Sequence, residues 1–164
     1  MLREMEGAVF ATAEERITLP TIALVVACGD SDHGPKGLYP EIRRFLRKTP
    51  YELEEGQYFP LLRDGGPAAL AYRDEFEVDY LSLEGSMQRI CKLKPQIAEA
   101  LLFHHGPCGY YADAVPRQGN CDLMREKADL SKVVEVAAAI LPGKKIKAFF
   151  GFSKNGVVDF HRIH

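Results

Sequence analysis

TIALVVACGD, residues 21–30, is the stretch that decides the fold. After Thr21 the run is apolar to Ala27 and rich in β-branched residues, with none of the in-out alternation of a half-exposed strand. That is the pattern of a strand buried on both faces of a parallel sheet. It gives way to CGDSDHGPKG (28–37), a loop dense in turn formers. Working outward, Pro40 at the first helical position and Ile42, Phe45 and Leu46 at helical spacing predict a helix over 40–47. A second strand is expected over 57–62, helical segments over 67–72 and 78–91, and a third strand over 97–103 that ends at HHGPCG. Val133, Val134, Val136, Ala137, Ile140 and Leu141 mark a helix over 121–141, with Pro142-Gly143 as its stop. A fourth strand over 144–152 turns at Asn155-Gly156 into a final strand over 157–163 as a hairpin. Residues 1–18 read as a helical N-terminal arm broken near Gly7. The sum is an α/β fold in one domain, 1–164, whose core spans 20–163. Its mostly parallel sheet has about four strands flanked by helices, plus an antiparallel C-terminal edge strand.

Composition narrows the function classes. The chain has 164 residues, 46% hydrophobic and 27% charged, an ordinary soluble balance. A net charge of -2 argues against a nucleic-acid surface, which needs concentrated Lys and Arg. Arg43, Arg44, Arg47 and Lys48 read as one solvated helix face. No apolar run reaches the roughly 20 residues that span a bilayer, so no membrane partner is expected. MLREMEG at the N-terminus lacks the apolar core of a secretion signal, and the expected localisation is cytoplasmic. There Cys28, Cys91, Cys108 and Cys121 would be thiols suited to metal or thiolate chemistry rather than a disulfide framework.

In open α/β sheets ligands gather beyond the C-terminal ends of strands, which singles out Cys28-Gly-Asp30 and His105-Gly-Pro-Cys108. Zinc favours thiolate sulfur and imidazole nitrogen, and a catalytic site keeps three protein ligands with one position open. Cys28, His105 and Cys108 supply that set. Asp30 shares the first loop, so its carboxylate either orients a water in the fourth position or fills that position itself. Taken alone, His-x-x-Cys is a weak motif, Cys28 could be a small buried hydrophobe, and Asp30 an Asx-turn residue. The two motifs at two strand ends carry the case together. His104 reads as a packing neighbour, Cys91 as core, Cys121 as a thiol near a helix start, and His161 and His164 as edge residues. Arg63 reads equally as pocket lining or surface ion pair.

Cys-x-Asp after a buried strand, followed by His-x-x-Cys-Gly, resembles the β-class carbonic anhydrases. QYFPLLRDGG (57–66) is similar to that family's second strand and Arg-Asn-Ala-Gly segment, with Arg63, Asp64 and Gly65 in comparable places. IKAFFGFSKNGVVDF is similar to its closing strand, turn and edge strand. The resemblance implies one zinc ion and reversible hydration of carbon dioxide by zinc-bound hydroxide, with Asp30 as the catalytic residue. It also implies carbon dioxide or bicarbonate as the small-molecule partner and a dimer or higher homo-oligomer joined through the N-terminal arm, which carries Leu2, Met5, Val9 and Phe10. Phe59 and Tyr80 are expected near an apolar pocket. One position departs from the pattern. The family's Cys-x-Asp-x-Arg pairs its Arg with the Asp, and here Asp32 stands in the Arg position, which predicts weak activity or none. Two alternatives follow: a non-catalytic zinc protein closed by Asp30, or a hydrolase of carbon disulfide or carbonyl sulfide. A phosphate-cradling reading of residues 28–37 lacks both Gly-rich spacings that such loops use.

Overall fold

A computed structural model describes residues 20–29, 37–48, 50–106, 108, 123–154 and 157–163. The order is β1 (Ala23–Cys28), α1 (Leu38–Leu46), β2 (Tyr58–Arg63), a 3-10 helix (Gly66–Ala71), α2 (Glu77–Leu93), β3 (Glu99–Gly106), α3 (Leu123–Ile140), β4 (Lys145–Lys154) and β5 (Val157–Arg162). The five strands form one sheet in the order β2-β1-β3-β4-β5. β1 runs parallel to β2 and to β3, β3 runs parallel to β4, and β5 closes the sheet antiparallel to β4.

Every residue of β1 is buried, as a central strand covered on both faces requires. β2 is the outer neighbour of β1, and its position at the edge explains why Pro60 is tolerated inside a strand, since an edge leaves alternate N–H groups outside the ladder. Right-handed crossovers put α1 on one face and the 3-10 helix, α2 and α3 on the other. On the α1 face, Phe45 meets Phe103 and Phe149 edge-on at centroid distances of 5.8 and 5.3 Å, and those two rings stack at 4.7 Å. The helices opposite bring in Leu70, Leu83, Met87, Val133 and Ala137, all buried. Burying each of the Leu, Met and Val side chains among them contributes about 1.5–3 kcal/mol. The Tyr72 hydroxyl donates to the Asp129 carboxylate, joining the 3-10 helix to α3.

Several boundaries differ from the sequence expectation. α1 begins at Leu38, so Pro40 falls inside its first turn, where a missing N–H costs no intrahelical bond. The segment expected as a helix over 67–72 is a 3-10 helix. The third strand runs on through His104 and His105 to Gly106, so this histidine pair belongs to the strand and not to the loop after it. Arg43 and Arg44 of α1 and Arg47 just past its end are ion-paired, to Glu55 at 2.6 Å, Glu41 at 2.6 Å and Glu54 at 3.7 Å respectively. The N-terminal arm and the Asn155-Gly156 turn lie outside the described residues. Among the described residues no helix is long and apolar enough to cross a membrane.

Candidate metal centre

β1 connects to β2 on its left and β3 connects to β4 on its right, so the strand order reverses between β1 and β3. The two crossovers leave on opposite faces there, opening a crevice at the strand ends. Cys28 ends β1 on one side of it. The register pairs Ala27 with Phe103, so His105 lies just beyond Cys28 on the neighbouring strand. Cys108 follows two residues after β3 ends. Ligand atoms of Cys28, His105 and Cys108 all lie within 4.8 Å of one another, and all three residues are buried.

The spacing of the sulfurs discriminates between two fates. Cys28 Sγ and Cys108 Sγ are 4.0 Å apart. Two thiolates on a tetrahedral zinc at about 2.3 Å span an edge of about 3.8 Å. A disulfide needs about 2 Å. The pair therefore fits a shared cation, and two sulfurs with one imidazole nitrogen form a donor set that zinc accepts. No other group of three potential ligands is found among the described residues.

Distance separates the two histidines at the strand end. A ring nitrogen of His105 lies with the two sulfurs. His104 is buried and packs edge-on against Phe150 at 5.8 Å. The strand opposite His105 carries Gly151, whose absent side chain leaves room for Phe160, since a Cβ there would lie 2.8 Å from the Phe160 ring.

The first loop leaves β1 under restraint. Gly29 donates its N–H to the Arg63 carbonyl at 2.9 Å, which extends the β1–β2 ladder one step past Cys28. Beside this junction Leu62, Arg63, Asp64, Gly66, Asp79 and Leu83 line a cleft of about 340 Å³. Arg63 thus lines a pocket, and its guanidinium donates to Ser86 Oγ at 3.2 Å. Phe59 and Tyr80 are not among the described residues that line it. Phe59 packs on the core, and Tyr80 is buried beneath the Arg73 guanidinium, 5.1 Å from its ring. Cys91 is half-buried on α2, and burial pushes its thiol pKa up against a weaker opposing pull from Lys144. His161 lies on β5 against Phe152. Asp30, Asp32, His33, Lys36, Cys121 and His164 lie outside the described residues.

Sequence reasoning missed Gly66, whose backbone lies against Cys28. The signal available was the Gly-Gly pair at 65–66, both in the left-handed region.

No family model and no curated protein matches the chain. Solved structures do. A carbonic anhydrase from Glaciozyma antarctica superposes with a TM-score of 0.56 at 17% identity, covering 100% of this chain and 96% of that one. A carbonic anhydrase from Streptococcus mutans gives 0.55 at 14% identity over 98% and 94%. The β-carbonic anhydrase isoform I of Trichomonas vaginalis gives 0.50 at 12% identity over 99% and 95%. The sheet order, the antiparallel closing pair and these superpositions together show that the chain has the β-carbonic anhydrase fold.

Proposed function

We propose that this chain binds one zinc ion through Cys28, His105 and Cys108 and is a carbonic-anhydrase-like protein whose hydration of carbon dioxide is weak at neutral pH. The convergence of those three side chains at the β1/β3 crevice carries the reading. Zinc held there supplies Lewis-acid activation of water, bringing its pKa toward about 7. The protein's own contribution is the buried ligand cage and the carboxylate of Asp30, two residues past Cys28, which would accept a hydrogen bond from the reacting water and orient it toward a small apolar substrate.

Asp32 favours the second reading, a non-catalytic zinc protein closed by Asp30. In the resembling family an Arg at that position holds the Asp through a bidentate ion pair. Here the neighbour is an anion, and the metal becomes the strongest cation within reach of Asp30. Carbon disulfide and carbonyl sulfide are the alternative substrates of the same chemistry. The partner is a second copy of the chain, joined through the N-terminal arm, and the compartment is the cytoplasm.

The test measures zinc per chain and then carbon dioxide hydration by stopped flow for the native protein and for Asp32→Arg. The expected result is about one zinc in both and a faster rate, by tenfold or more, in Asp32→Arg. A fully active native protein slowed by that substitution overturns the account of Asp32, and a zinc-free native protein overturns the site.

A further inference from the structure

We infer that Gly66 is a positioning residue for the metal centre, because its missing side chain is what allows Cys28 to reach ligand range; this rests on the zinc reading of Cys28, His105 and Cys108. Gly66 opens the 3-10 helix with φ of +57°. A Cβ built there would lie 2.6 Å from Cys28 N, 2.9 Å from the Ala27 carbonyl carbon and 3.2 Å from Cys28 Cα. All three are backbone atoms, so no side-chain rotation relieves the contact. Either the end of β1 or the start of the 3-10 helix has to move.

Neither can recede without loss. Ala27 and Cys28 are paired with Leu62 and Arg63 of β2, and Gly29 is bonded to the Arg63 carbonyl. Behind Gly66, the residues Pro67 to Ala71 are all buried. Arg63 to Gly66 thus form a mould, a β2 end that bonds Gly29 and a left-handed Gly66 that leaves no room for a Cβ against Cys28 N. Zinc ligand distances tolerate only about 0.2 Å of departure. A methyl group at Gly66 demands a shift on the order of half an ångström, since non-bonded carbon and nitrogen atoms rarely approach within about 3.0 Å. Because Cys28 rides on β1 while His105 and Cys108 ride on β3 and its exit, the shift changes the spacing between the ligands.

Two other glycines separate this effect from general backbone strain. Gly56 at φ of +97° and Gly143 at φ of +79° share the left-handed conformation, yet a Cβ at either meets nothing within 4 Å. Both precede strands at the sheet end remote from the thiols. Gly56→Ala and Gly143→Ala therefore carry the conformational penalty without the collision.

The experiment compares wild type, Gly66→Ala, Gly56→Ala and Gly143→Ala as full chains. Zinc affinity is measured by chelator competition, and Co(II)-substituted protein is read by its thiolate charge-transfer and d–d bands. All three variants should lose thermal stability, but only Gly66→Ala should weaken zinc binding, by tenfold or more, and shift the Co(II) bands. Wild-type affinity and bands in Gly66→Ala overturn the inference while leaving the zinc reading intact. Should Gly66→Ala fail to fold even with a stabilising osmolyte while both controls fold, Gly66 is a determinant of the fold rather than of the metal centre, and the inference falls. A wild type that takes up neither zinc nor Co(II) sinks the zinc reading itself, and the inference with it.

Discussion

The two ends of the parallel sheet are built differently. At the N-terminal end, backbone bonds continue the ladder past the strands themselves. Ile22 donates to the Gln57 carbonyl at 2.7 Å, Ala98 to the Ile22 carbonyl at 2.9 Å and Lys145 to the Ala98 carbonyl at 3.0 Å. The Lys144 ammonium donates to the Ile97 carbonyl at 2.5 Å, and Thr21 Oγ1 to the Gly56 carbonyl at 3.0 Å. These bonds sew β2, β1, β3 and β4 together in their order across the sheet. At the C-terminal end the crossovers part, and two thiols and an imidazole meet in the crevice. One end is tied mostly by bonds between main-chain groups, which any sequence can supply. The other also gathers three particular side chains whose ligand atoms meet. Stability and metal chemistry should therefore separate under mutation, end from end.

The largest effect expected of that separation is at the ligands. Cys108→Ser should lose nearly all bound zinc, because removing a direct ligand exceeds the ten- to hundredfold losses typical of groups that merely orient one. The metal-free thermal midpoint should move by only a few degrees, since serine fills almost the same volume. Elemental analysis and a melting curve check both. Full zinc in Cys108→Ser together with loss in His104→Ala would show that the wrong histidine and thiol had been chosen.

Next in size is the middle of the sheet. Phe149 stacks on Phe103 and touches Phe45 and Tyr51 edge-on. Phe149→Ala should cost about 3–5 kcal/mol, because the rigid neighbours cannot fully close the cavity. For a chain of this length that lowers the midpoint by roughly 6–20 °C. Below its transition the variant should still bind one zinc. Denaturant titration gives the first number and chelator competition the second, and a parallel loss of zinc would mean that the two ends are coupled through the core.

How far the sequence disclosed this contrast depends on what each part is made of. β1 was legible because two-sided burial imposes an uninterrupted apolar run, and the convergence of Cys28, His105 and Cys108 because soft donors at strand ends are few. The extent of β3 was not legible. Histidines are indifferent strand formers, and only pairing with Phe150 and Gly151 draws His104 and His105 into the ladder. The 3-10 character of Gly66–Ala71 was hidden for a related reason, since a short Ala-rich run suits either helix type and tertiary packing chooses. The contact between Gly66 and the Cys28 backbone joins residues far apart in sequence through main-chain atoms, and no side-chain pattern reports it.

The smallest effect tests the N-terminal end by pH. Tyr39, in the first turn of α1, has its phenol pKa pushed up from 10.0 to about 12, first by burial, then by the neighbouring phenol of Tyr58, with the Arg43 guanidinium opposing. Tyr58 opens β2, at the sheet end remote from the thiols. Between pH 10 and 12 the native chain keeps a proton that the unfolded chain has released, so unfolding becomes easier as pH rises through that window. Below pH 10 both states are protonated and the contribution is complete. Tyr39→Phe removes the titrating group, and its urea midpoint should fall less between pH 9 and pH 11.5 than that of the native protein. Other tyrosines and lysines titrate in both proteins, so the difference between the two slopes isolates Tyr39. Zinc affinity at pH 8 should be the same in both, because the phenol sits at the end the metal does not use. Equal slopes would remove Tyr39 as the source, and a change in zinc affinity would show that the two ends communicate along β2 and the Arg63–Gly66 mould.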